Sequence, residues 1–309
     1  MEIRKYIIEE NILQDCEIDY ECGTGDVIIP DGVKEIGPDF LGLYGVIEVL
    51  HIPASVIKIH SGAFSGCEQI SVITVDENNP IYHVRGNCII ETANKKLVVG
   101  GSNPAIDSDG SIAEIGPYSF NCRKIKTIEL PNTITSIDFM AFSWTKIEEL
   151  KIPESVSFID SHAFALNNNL KSVFIPKSVI KMGNGVFTGC NNLRDIRVDK
   201  ENPSYISIEN SIIEKVTKSL VAACANSVIP EGVRAIPDFT ITMLDNCESI
   251  YVPESVIEIG QANFEFCYKF YKGKNGNRIA CRPKFTIKAK KNAFAIEYAK
   301  QKNIPFAII

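Results

Sequence analysis

The stretch Ile52–Cys67 has the sequence IPASVIKIHSGAFSGC, and the stretch Ile175–Cys190, 123 positions later, has the sequence IPKSVIKMGNGVFTGC. Both contain Ile-Pro, Ser-Val-Ile-Lys, a small residue before Phe, and a closing Gly-Cys. Seven prolines mark copies of this unit, and four neighbouring pairs are 22 or 23 residues apart: Pro30, Pro53, Pro131, Pro153, Pro176, Pro230 and Pro253. A constant period of about 20–50 residues is typical of a solenoid, in which one supersecondary unit is stacked repeatedly.

Each unit begins with a short alternating segment before its proline. Apolar residues stand three and one positions before it, and the residue between them varies in character: Leu50 and Ile52, Ile128 and Leu130, Leu150 and Ile152, Val173 and Ile175, Ile250 and Val252. A period of two predicts a strand with one buried face. The proline removes a backbone donor and therefore ends the strand.

The second half of each unit contains an Ile or Met and, four and five residues later, a small residue followed by Phe, as in Ala63-Phe64 and Ala141-Phe142. We expect this pair to form a short helical turn, with Phe filling the space between coils. The sequence therefore predicts an α/β solenoid with short parallel strands on one face and short helical turns on the other.

The repeats predict three regions: an N-terminal cap at 1–26, repeats at 27–270 and a C-terminal cap at 271–309. Segments 75–106 and 198–229 interrupt the repeats and share Asn-Pro-x-Tyr, then Asn-x-Ile-Ile-Glu, then Lys-x-Leu-Val. Asn-Pro favours a turn, and the two apolar runs predict a β-hairpin. The end of the chain predicts a capping helix followed by a strand.

The pattern I-P-x-[SG]-V-x-x-I-x-x-x-A-F-x-x-C-x-x-L-x-x-[IV] resembles the BspA-like leucine-rich repeats of bacteria, over essentially the whole chain. The Asn-Pro-x-Tyr segments and the ending A-x-x-Y-A-x-x-x-x-I-P-F are also similar to that family. The resemblance implies a right-handed solenoid that often sits on cell surfaces and binds host or neighbouring proteins. It implies no catalytic residues, so we expect a protein that is not an enzyme.

Composition excludes several function classes. The 32 basic and 38 acidic residues give a formal charge of −6 without a basic run, which argues against a nucleic-acid partner. No run approaches the roughly 18 apolar residues of a membrane-spanning helix, so membrane insertion is not expected. The first residues lack the apolar stretch of a secretory signal, so the chain as written is expected in the cytoplasm. If a leader was removed, the cell surface or secretion is expected instead.

The cysteines and histidines suggest neither a cofactor nor a catalytic site. Cys67, Cys190, Cys267, Cys122 and Cys247 occupy apolar positions of the repeat, which predicts small buried side chains in a reduced state. Cys16, Cys22 and Cys281 lack the second close pair that a zinc site needs. The acidic stretches at Asp76 and Asp199 predict turns rather than calcium loops. His51, His60, His83 and His162 are scattered and predict surface positions.

The variable residue between the buried strand positions is the strongest candidate for function. In solenoids the sheet face is the usual binding surface, and aromatic and Arg residues are enriched in binding hot spots. The predicted binding residues are Ile28, His51, Thr74, Glu129, Lys151, Phe174, Arg197 and Tyr251. Beside them lies a second column of Asp26, Val49, Val72, Thr127, Glu149, Ser172, Asp195 and Ser249. We expect a protein or peptide partner; the alternative is a cell-surface adhesion module that binds host matrix protein or glycan.

Overall fold

The computed structural model describes residues 2–19, 25–38, 40–41, 46–224, 227–241, 247–264, 269–272, 278–281, 285–291 and 293–309. The chain divides into two compact units. Unit 1 comprises Met1–Ile147 and Ser155–Ala163, and unit 2 comprises Glu148–Glu154 and Phe164–Ile309. Each unit is a solenoid of stacked parallel strands.

The elements are numbered in chain order. Unit 1 contains β1 (Glu2–Glu9), β2 (Ile12–Asp19), β3 (Gly25–Ile28), β4 (Glu35–Ile36), β5 (Val46–Ile52), β6 (Lys58–Ile59), β7 (Gln69–Val75), β8 (Tyr82–Arg85), β9 (Cys88–Glu91), β10 (Lys96–Gly100), β11 (Glu114–Ile115), β12 (Ser136–Ile137) and β14 (Phe158–Ile159). Unit 2 contains β13 (Leu150–Lys151), β15 (Ser172–Ile175), β16 (Lys181–Met182), β17 (Asp195–Val198), β18 (Tyr205–Ile208), β19 (Ser211–Glu214), β20 (Leu220–Ala222), β21 (Ala235–Ile236), β22 (Ser249–Tyr251), β23 (Glu258–Ile259), β24 (Lys269–Lys272), β25 (Arg278–Cys281), β26 (Thr286–Ala289), α1 (Phe294–Gln301) and β27 (Phe306–Ile308).

The strands that precede the prolines pair with neighbouring strands in parallel ladders, which we call front ladders. They are β3-β5-β7 in unit 1, and β13-β15-β17 and β22-β26-β27 in unit 2. Leu50 of β5 pairs with Val27 on one side and Ile73 on the other. Leu50 and Ile52 are fully buried, while His51 between them is half-buried. The parallel strands with one buried face are therefore confirmed.

A second set of parallel ladders, the back ladders, joins the two-residue strands that contain the Ile after the proline, and two of these ladders begin with a longer strand, β2 or β10. Unit 1 has β2-β4-β6 and β10-β11-β12-β14, and unit 2 has β21-β23. Ile36 pairs with Ile59 in the first of these ladders, and Ile115 pairs with Ile137 in the second. Two residues are too few to show an alternating pattern, so the sequence did not predict these ladders.

The segments around the small residue and Phe form hydrogen-bonded turns, and the predicted helical turns are absent from the described residues there. The residue before the small one and the residue two after Phe both have positive φ: Gly62 and Gly66 in one coil (82° and 80°), Met140 and Trp144 in another (52° and 60°). An α-helix needs consecutive residues with negative φ, so these positions interrupt it. Backbone hydrogen bonds run between coils instead, as from the Phe142 N–H to the Ala163 carbonyl at 2.8 Å.

The phenylalanines of these turns fill the space between coils, as the sequence predicts. Phe120 and Phe142 are fully buried in unit 1, and their rings stack with centroids 5.0 Å apart and an interplanar angle of 5°. In unit 2, Phe164 and Phe187 stack at 5.8 Å and 12°. Gly100 permits the approach of Phe120, because a Cβ on this glycine would lie 1.9 Å from the ring.

Arg123 occupies the position three residues after Phe that holds Cys67 and Cys190 in other coils. Its side chain is only 1% exposed. Nε donates to the Gly100 carbonyl at 2.9 Å, and Nη1 donates to the carbonyls of Phe64 (3.1 Å), Asn121 (3.3 Å) and Cys67. Burial lowers the pKa of this guanidinium, which nevertheless remains a cation because arginine does not lose its proton in proteins. The sequence did not predict a role for Arg123, although its spacing from Phe120 equals that of Cys67 from Phe64.

Each interrupting segment forms a small antiparallel sheet. In unit 1, β9 pairs with both β8 and β10, and in unit 2, β19 pairs with both β18 and β20. The predicted hairpin corresponds to β9 with β10 and to β19 with β20. The third strand, β8 or β18, begins at the tyrosine of the Asn-Pro-x-Tyr motif, and the sequence analysis missed it. We call the two segments, 75–106 and 198–229, insert 1 and insert 2.

The Asn and Tyr of each motif bond to the backbone of the preceding coil. In insert 1, the Asn79 amide donates to the carbonyls of Pro53 and Val56 at 2.8 and 3.0 Å. Its oxygen accepts the N–H groups of Ile81 and Tyr82. The Tyr82 hydroxyl accepts the Ile59 N–H at 2.9 Å, in place of the carbonyl that a further back-ladder strand would supply. Insert 2 repeats these bonds with Asn202 and Tyr205, whose hydroxyl accepts the Met182 N–H at 2.7 Å.

The two ends of the chain differ from the coils. Near the N-terminus, β1 and β2 form an antiparallel hairpin, and β2 joins the back ladder through Leu13 and Ile36. The predicted boundary after residue 26 lies inside β3, and the one after residue 270 lies inside β24. The expected helix is α1, the only helix in the described part of the chain, and β27 follows it parallel to β26. The Tyr298 hydroxyl of α1 donates to the Asn263 carbonyl at 3.0 Å.

Candidate binding surface

In unit 1, three of the predicted binding residues are neighbours on adjacent strands of a front ladder. Ile28 pairs with His51, and His51 pairs with Thr74. The Ile28 side chain is 48% exposed, whereas His51 and Thr74 are half-buried. His51 Nδ1 and Thr74 Oγ1 lie 2.9 Å apart and share a hydrogen bond. This row therefore offers one exposed aliphatic group beside a polar pair that is already hydrogen-bonded.

In unit 2, Lys151, Phe174 and Arg197 form the corresponding row on β13, β15 and β17. Lys151 pairs with Phe174, and Phe174 pairs with Arg197. Lys151 and Arg197 are exposed, and the Phe174 side chain is 47% exposed. Because neighbouring strands lie roughly 4.8 Å apart, the two cationic side chains flank the ring on either side. This arrangement leaves a large apolar surface in water between two positive charges.

Asp195 holds the Arg197 side chain in place. Arg197 donates from Nε to Asp195 Oδ1 at 2.9 Å, and Nη2 lies 2.6 Å from Oδ2. Such a two-point contact holds a guanidinium in one orientation. The sequence analysis placed Asp195 beside the row but did not predict this bond. The signal was present, since residues i and i+2 of a strand lie on the same face.

The remaining two predicted residues lie elsewhere. Tyr251 is half-buried on β22, in the other front ladder of unit 2, and its hydroxyl donates to Glu231 at 3.2 Å. Burial and the Glu231 charge raise the pKa of Tyr251. Glu129 is exposed in a segment of unit 1 that contains no strand. The strand predicted there was wrong: Ile128 and Leu130 are only half-buried, and no front ladder includes this coil.

The eight predicted residues therefore lie on three front ladders and one irregular segment. A continuous column along one sheet was the simplest expectation from the repeat. The inserts interrupt this column, because each insert follows the last strand of a front ladder, β7 or β17. Asn87 of insert 1 accepts the Ile73 N–H at 2.9 Å, and Asn210 of insert 2 accepts the Ile196 N–H at 3.3 Å. These side chains take hydrogen bonds that the strand of a further coil would otherwise make.

Two of the repeat cysteines occupy buried positions, as predicted. Cys67 donates to the Leu41 carbonyl in unit 1, and Cys190 donates to the Phe164 carbonyl in unit 2. Burial raises the pKa of Cys67 to about 11 and that of Cys190 to about 12, so both are protonated thiols at neutral pH. Cys122 and Cys247 are half-buried, which corrects their prediction as buried residues. Cys22 and Cys267, and the side chains of Cys16 and Cys281, lie outside the described residues.

The acidic stretches form turns, as predicted. The Asn78 N–H donates to Asp76 Oδ1 at 2.8 Å, and the Glu201 N–H donates to Asp199 Oδ1 at the same distance. Within the described ranges, no group of three or more His, Cys, Asp or Glu side chains is arranged to hold a metal ion. A membrane-spanning helix was also not found in the part of the chain that the structure describes.

Comparison with known proteins identifies the repeat. The family described as BspA type leucine rich repeat region, six copies, matches residues 7–109, 100–218 and 221–300. Solved structures with similarity include a leucine rich cell surface protein from Faecalibacterium prausnitzii A2-165, with 20% identity and a TM-score of 0.47 over 82% of this chain and 70% of that chain. The pneumococcal vaccine antigen PcpA has 19% identity and a TM-score of 0.46 over 84% and 64% of the two chains. A leucine-rich repeat protein from Eubacterium ventriosum has 17% identity and a TM-score of 0.46 over 82% and 68%.

The chain thus spans roughly two thirds of the length of each of these solved structures. No curated protein matches the sequence significantly. The family match covers most of the chain, and the stacked parallel strands and buried Phe positions agree with it. The chain belongs to the BspA type leucine-rich repeat family.

Proposed function

We propose that this chain is a non-enzymatic protein-binding module and that the row Lys151–Phe174–Arg197 is the centre of its binding surface. The observation that carries the proposal is the exposure of Phe174 between two exposed cations on paired strands. Burying a Phe side chain contributes about 1.5–3 kcal/mol, and aromatic and Arg side chains dominate the energy of many interfaces.

The backbone beneath this row supports the proposal. Val173 and Ile196, which neighbour Phe174 and Arg197, are buried at 3% and 2% exposure. The row therefore projects from strands anchored in the core, so little conformational entropy is lost when a partner binds. Asp195 further restricts Arg197. Acidic and apolar groups of a partner would complement the row, whose ring is apolar and whose flanking groups are positive.

The cap assignments and the handedness of the coil are part of the same proposal. We take residues 1–26 and 271–309 as caps that cover the first and last coils. Parallel strands joined by a crossover are right-handed in about 98% of known cases, which supports a right-handed coil. A cytoplasmic or a cell-surface location is compatible with this role, and fractionation of the source cells distinguishes them.

Photo-crosslinking tests the binding surface directly. p-Benzoylphenylalanine replaces Phe174 in one protein and Ile180 in a matched control; Ile180 is 55% exposed in the same unit but lies outside the front ladders. Lysates and culture fractions of the source cells are irradiated with each protein. We expect a crosslinked protein from position 174 alone, and its loss when Lys151→Glu is added, whereas Lys181→Glu leaves it unchanged.

Affinity measurements with the purified partner then give the size of the Phe174 contribution. Phe174→Ala is expected to weaken binding about 30-fold, the effect of losing roughly 2 kcal/mol at a hot spot. Equal crosslinking from both positions, or full affinity in Phe174→Ala, would reject this surface. Binding to a glycan array that is lost in Phe174→Ala, without any crosslinked protein, would favour the adhesion alternative.

A further inference from the structure

A cleft of about 510 Å³ lies in unit 1 between the back-ladder strand β6 and the sheet of insert 1. Its walls include Ile57, Tyr82, Glu91, Lys96, Val98 and Pro117. This volume is within the range of about 300–1,000 Å³ that is usual for ligand sites. The residues of the front ladders do not line it, so it is a separate surface from the proposed binding row.

The cleft exists because insert 1 replaces the next coil of the back ladder. β6 pairs with β4 and is the last strand of its ladder. At this position the Tyr82 hydroxyl accepts the Ile59 N–H. The Ile57 side chain remains 49% exposed at the edge of the cleft. In the coil that contains β12, where the ladder continues, the equivalent position holds Thr135, which bonds to the Ala113 carbonyl.

The charged side chains that line the cleft differ in whether they form ion pairs. Lys96 lies 3.1 Å from Glu114 and 3.5 Å from Asp138, so its charge is compensated twice. Lys58 and His60 both contact Glu35, at 3.4 and 2.7 Å. Glu91 accepts a hydrogen bond from Asn94 but makes no ion pair with any described residue.

Glu91 is thus the one lining carboxylate that makes no ion pair within the described residues, because Lys96, which is paired with it in register on β10, contacts Glu114 and Asp138 instead. A positively charged group in the cleft would supply that partner, and an anion would meet Glu91 and the acidic pair around Lys96. Ile57, Val98 and Pro117 provide apolar surface beside this carboxylate. A long aliphatic stem that ends in a cation matches both features.

We propose that this cleft receives a lysine side chain of an extended polypeptide, with its methylene stem against Ile57 and Val98 and its ammonium group at Glu91. The exposed part of Ile57 at the rim offers further apolar contact to the residues that flank the lysine. The interaction is expected to be weak for a single side chain, since one ion pair and a short stem bury little surface.

Methyl NMR of isoleucine-labelled protein tests the site. The probes are acetyl-Ala-Lys-Ala-amide, the same tripeptide with norleucine in place of lysine, and n-butylamine. We expect saturable shifts of the Ile57 δ1 methyl with the lysine tripeptide and about fivefold weaker binding of both other probes. Ile257, which is 56% exposed outside the cleft, is the internal reference and should not shift. The Ile57→Val variant assigns the Ile57 signal.

Two matched variants test the carboxylate. Glu91→Gln should weaken binding of the lysine tripeptide about fivefold. The melting temperature should stay unchanged, because Gln retains an acceptor for Asn94. Glu77→Gln removes an exposed charge that does not line the cleft and should leave binding unchanged. The proposal is overturned by equal binding of the norleucine peptide, by equal shifts at Ile257 or by full affinity of Glu91→Gln. Equal affinity for n-butylamine would overturn the assignment to a polypeptide.

Discussion

Insert 1 in unit 1 and insert 2 in unit 2 solve the same problem with the same two residue types. Each insert follows the last strand of a front ladder. Its Asn and Tyr side chains hydrogen-bond to backbone groups of the preceding coil. Asn79 and Asn202 each make four hydrogen bonds to the backbone, and Tyr82 and Tyr205 each accept one N–H from the preceding coil. The Asn and Tyr that recur in the two inserts thus serve to satisfy backbone groups.

The inserts differ in the residues of the loop between their first two strands. The β8–β9 loop contains Gly86 and Asn87 with φ of 54° and 58°, and the β18–β19 loop contains Glu209 and Asn210 with φ of 48° and 61°. A Cβ on Gly86 would lie 1.8 Å from the Ala105 carbonyl oxygen, so this position requires glycine. Glu209 adopts the same left-handed backbone despite its side chain. The comparison teaches that the shared motif fixes the hydrogen bonds, while local packing decides the loop residue.

The largest expected loss of stability concerns Arg123, a residue of unit 1 that has no counterpart in the comparison of the two inserts. Arg123→Leu leaves the carbonyls of Gly100 and Phe64 without their buried donor, so we expect a loss of about 3–5 kcal/mol. Hydrogen exchange measured by mass spectrometry should show lost protection in residues 60–70 and 97–105. Protection of insert 2 should be unchanged.

Arg194→Leu is the matched control for this change. Arg194 also donates to backbone carbonyls, those of Asn191 and Leu193, but its side chain is exposed. Its replacement should cost less than about 1 kcal/mol. An Arg123→Leu protein as stable as Arg194→Leu would contradict the role assigned to the buried guanidinium.

The second prediction compares the loss of stability when Asn79 or Asn202 is replaced by Ala. Asn202 is fully buried, whereas Asn79 is half-buried and water can replace part of its hydrogen bonding. We expect Asn202→Ala to cost about 3 kcal/mol and Asn79→Ala about 2 kcal/mol, measured by urea unfolding. Equal costs would show that burial does not set the difference.

The third prediction concerns the tyrosines. Tyr82→Phe and Tyr205→Phe each leave a backbone N–H without its acceptor while the ring remains. We expect about 1–2 kcal/mol for each, and the two values should agree within error of the unfolding measurement. Tyr251→Phe is the control, because the Tyr251 hydroxyl donates to the Glu231 side chain and takes no backbone N–H in that bond; it should cost less than about 1 kcal/mol.

The smallest effect is a gain in stability. Glu209→Gly relieves a left-handed backbone that costs a residue with a side chain about 1 kcal/mol, so the melting temperature should rise. Glu209→Ala removes the charge but keeps the Cβ and should give no such rise. An equal rise in both variants would assign the effect to charge rather than to the backbone.

The period of the prolines and the alternation before them were enough to predict the stacked parallel strands and their buried residues. Leu50 and Ile52, for example, are buried as predicted. The helical turns were predicted wrongly because the small residue and Phe also suit a helix. The positive φ of Met140 and Trp144 has no clear signal in residues of these types. The candidate surface was predicted residue by residue, but the pairing of Lys151, Phe174 and Arg197 was visible only once the strands were in register.

The sequence by itself determined the repeat, the family, most core positions and the segments that interrupt the coils, because these depend on local periodicity. Only the tertiary structure decided which interrupted coils resume a ladder, why Glu129 lies outside any strand, and how Arg123 is held by carbonyls up to 59 positions away in the chain. It also decided that insert 1 leaves a cleft beside Glu91. These features depend on contacts between residues distant in sequence, which no local pattern encodes.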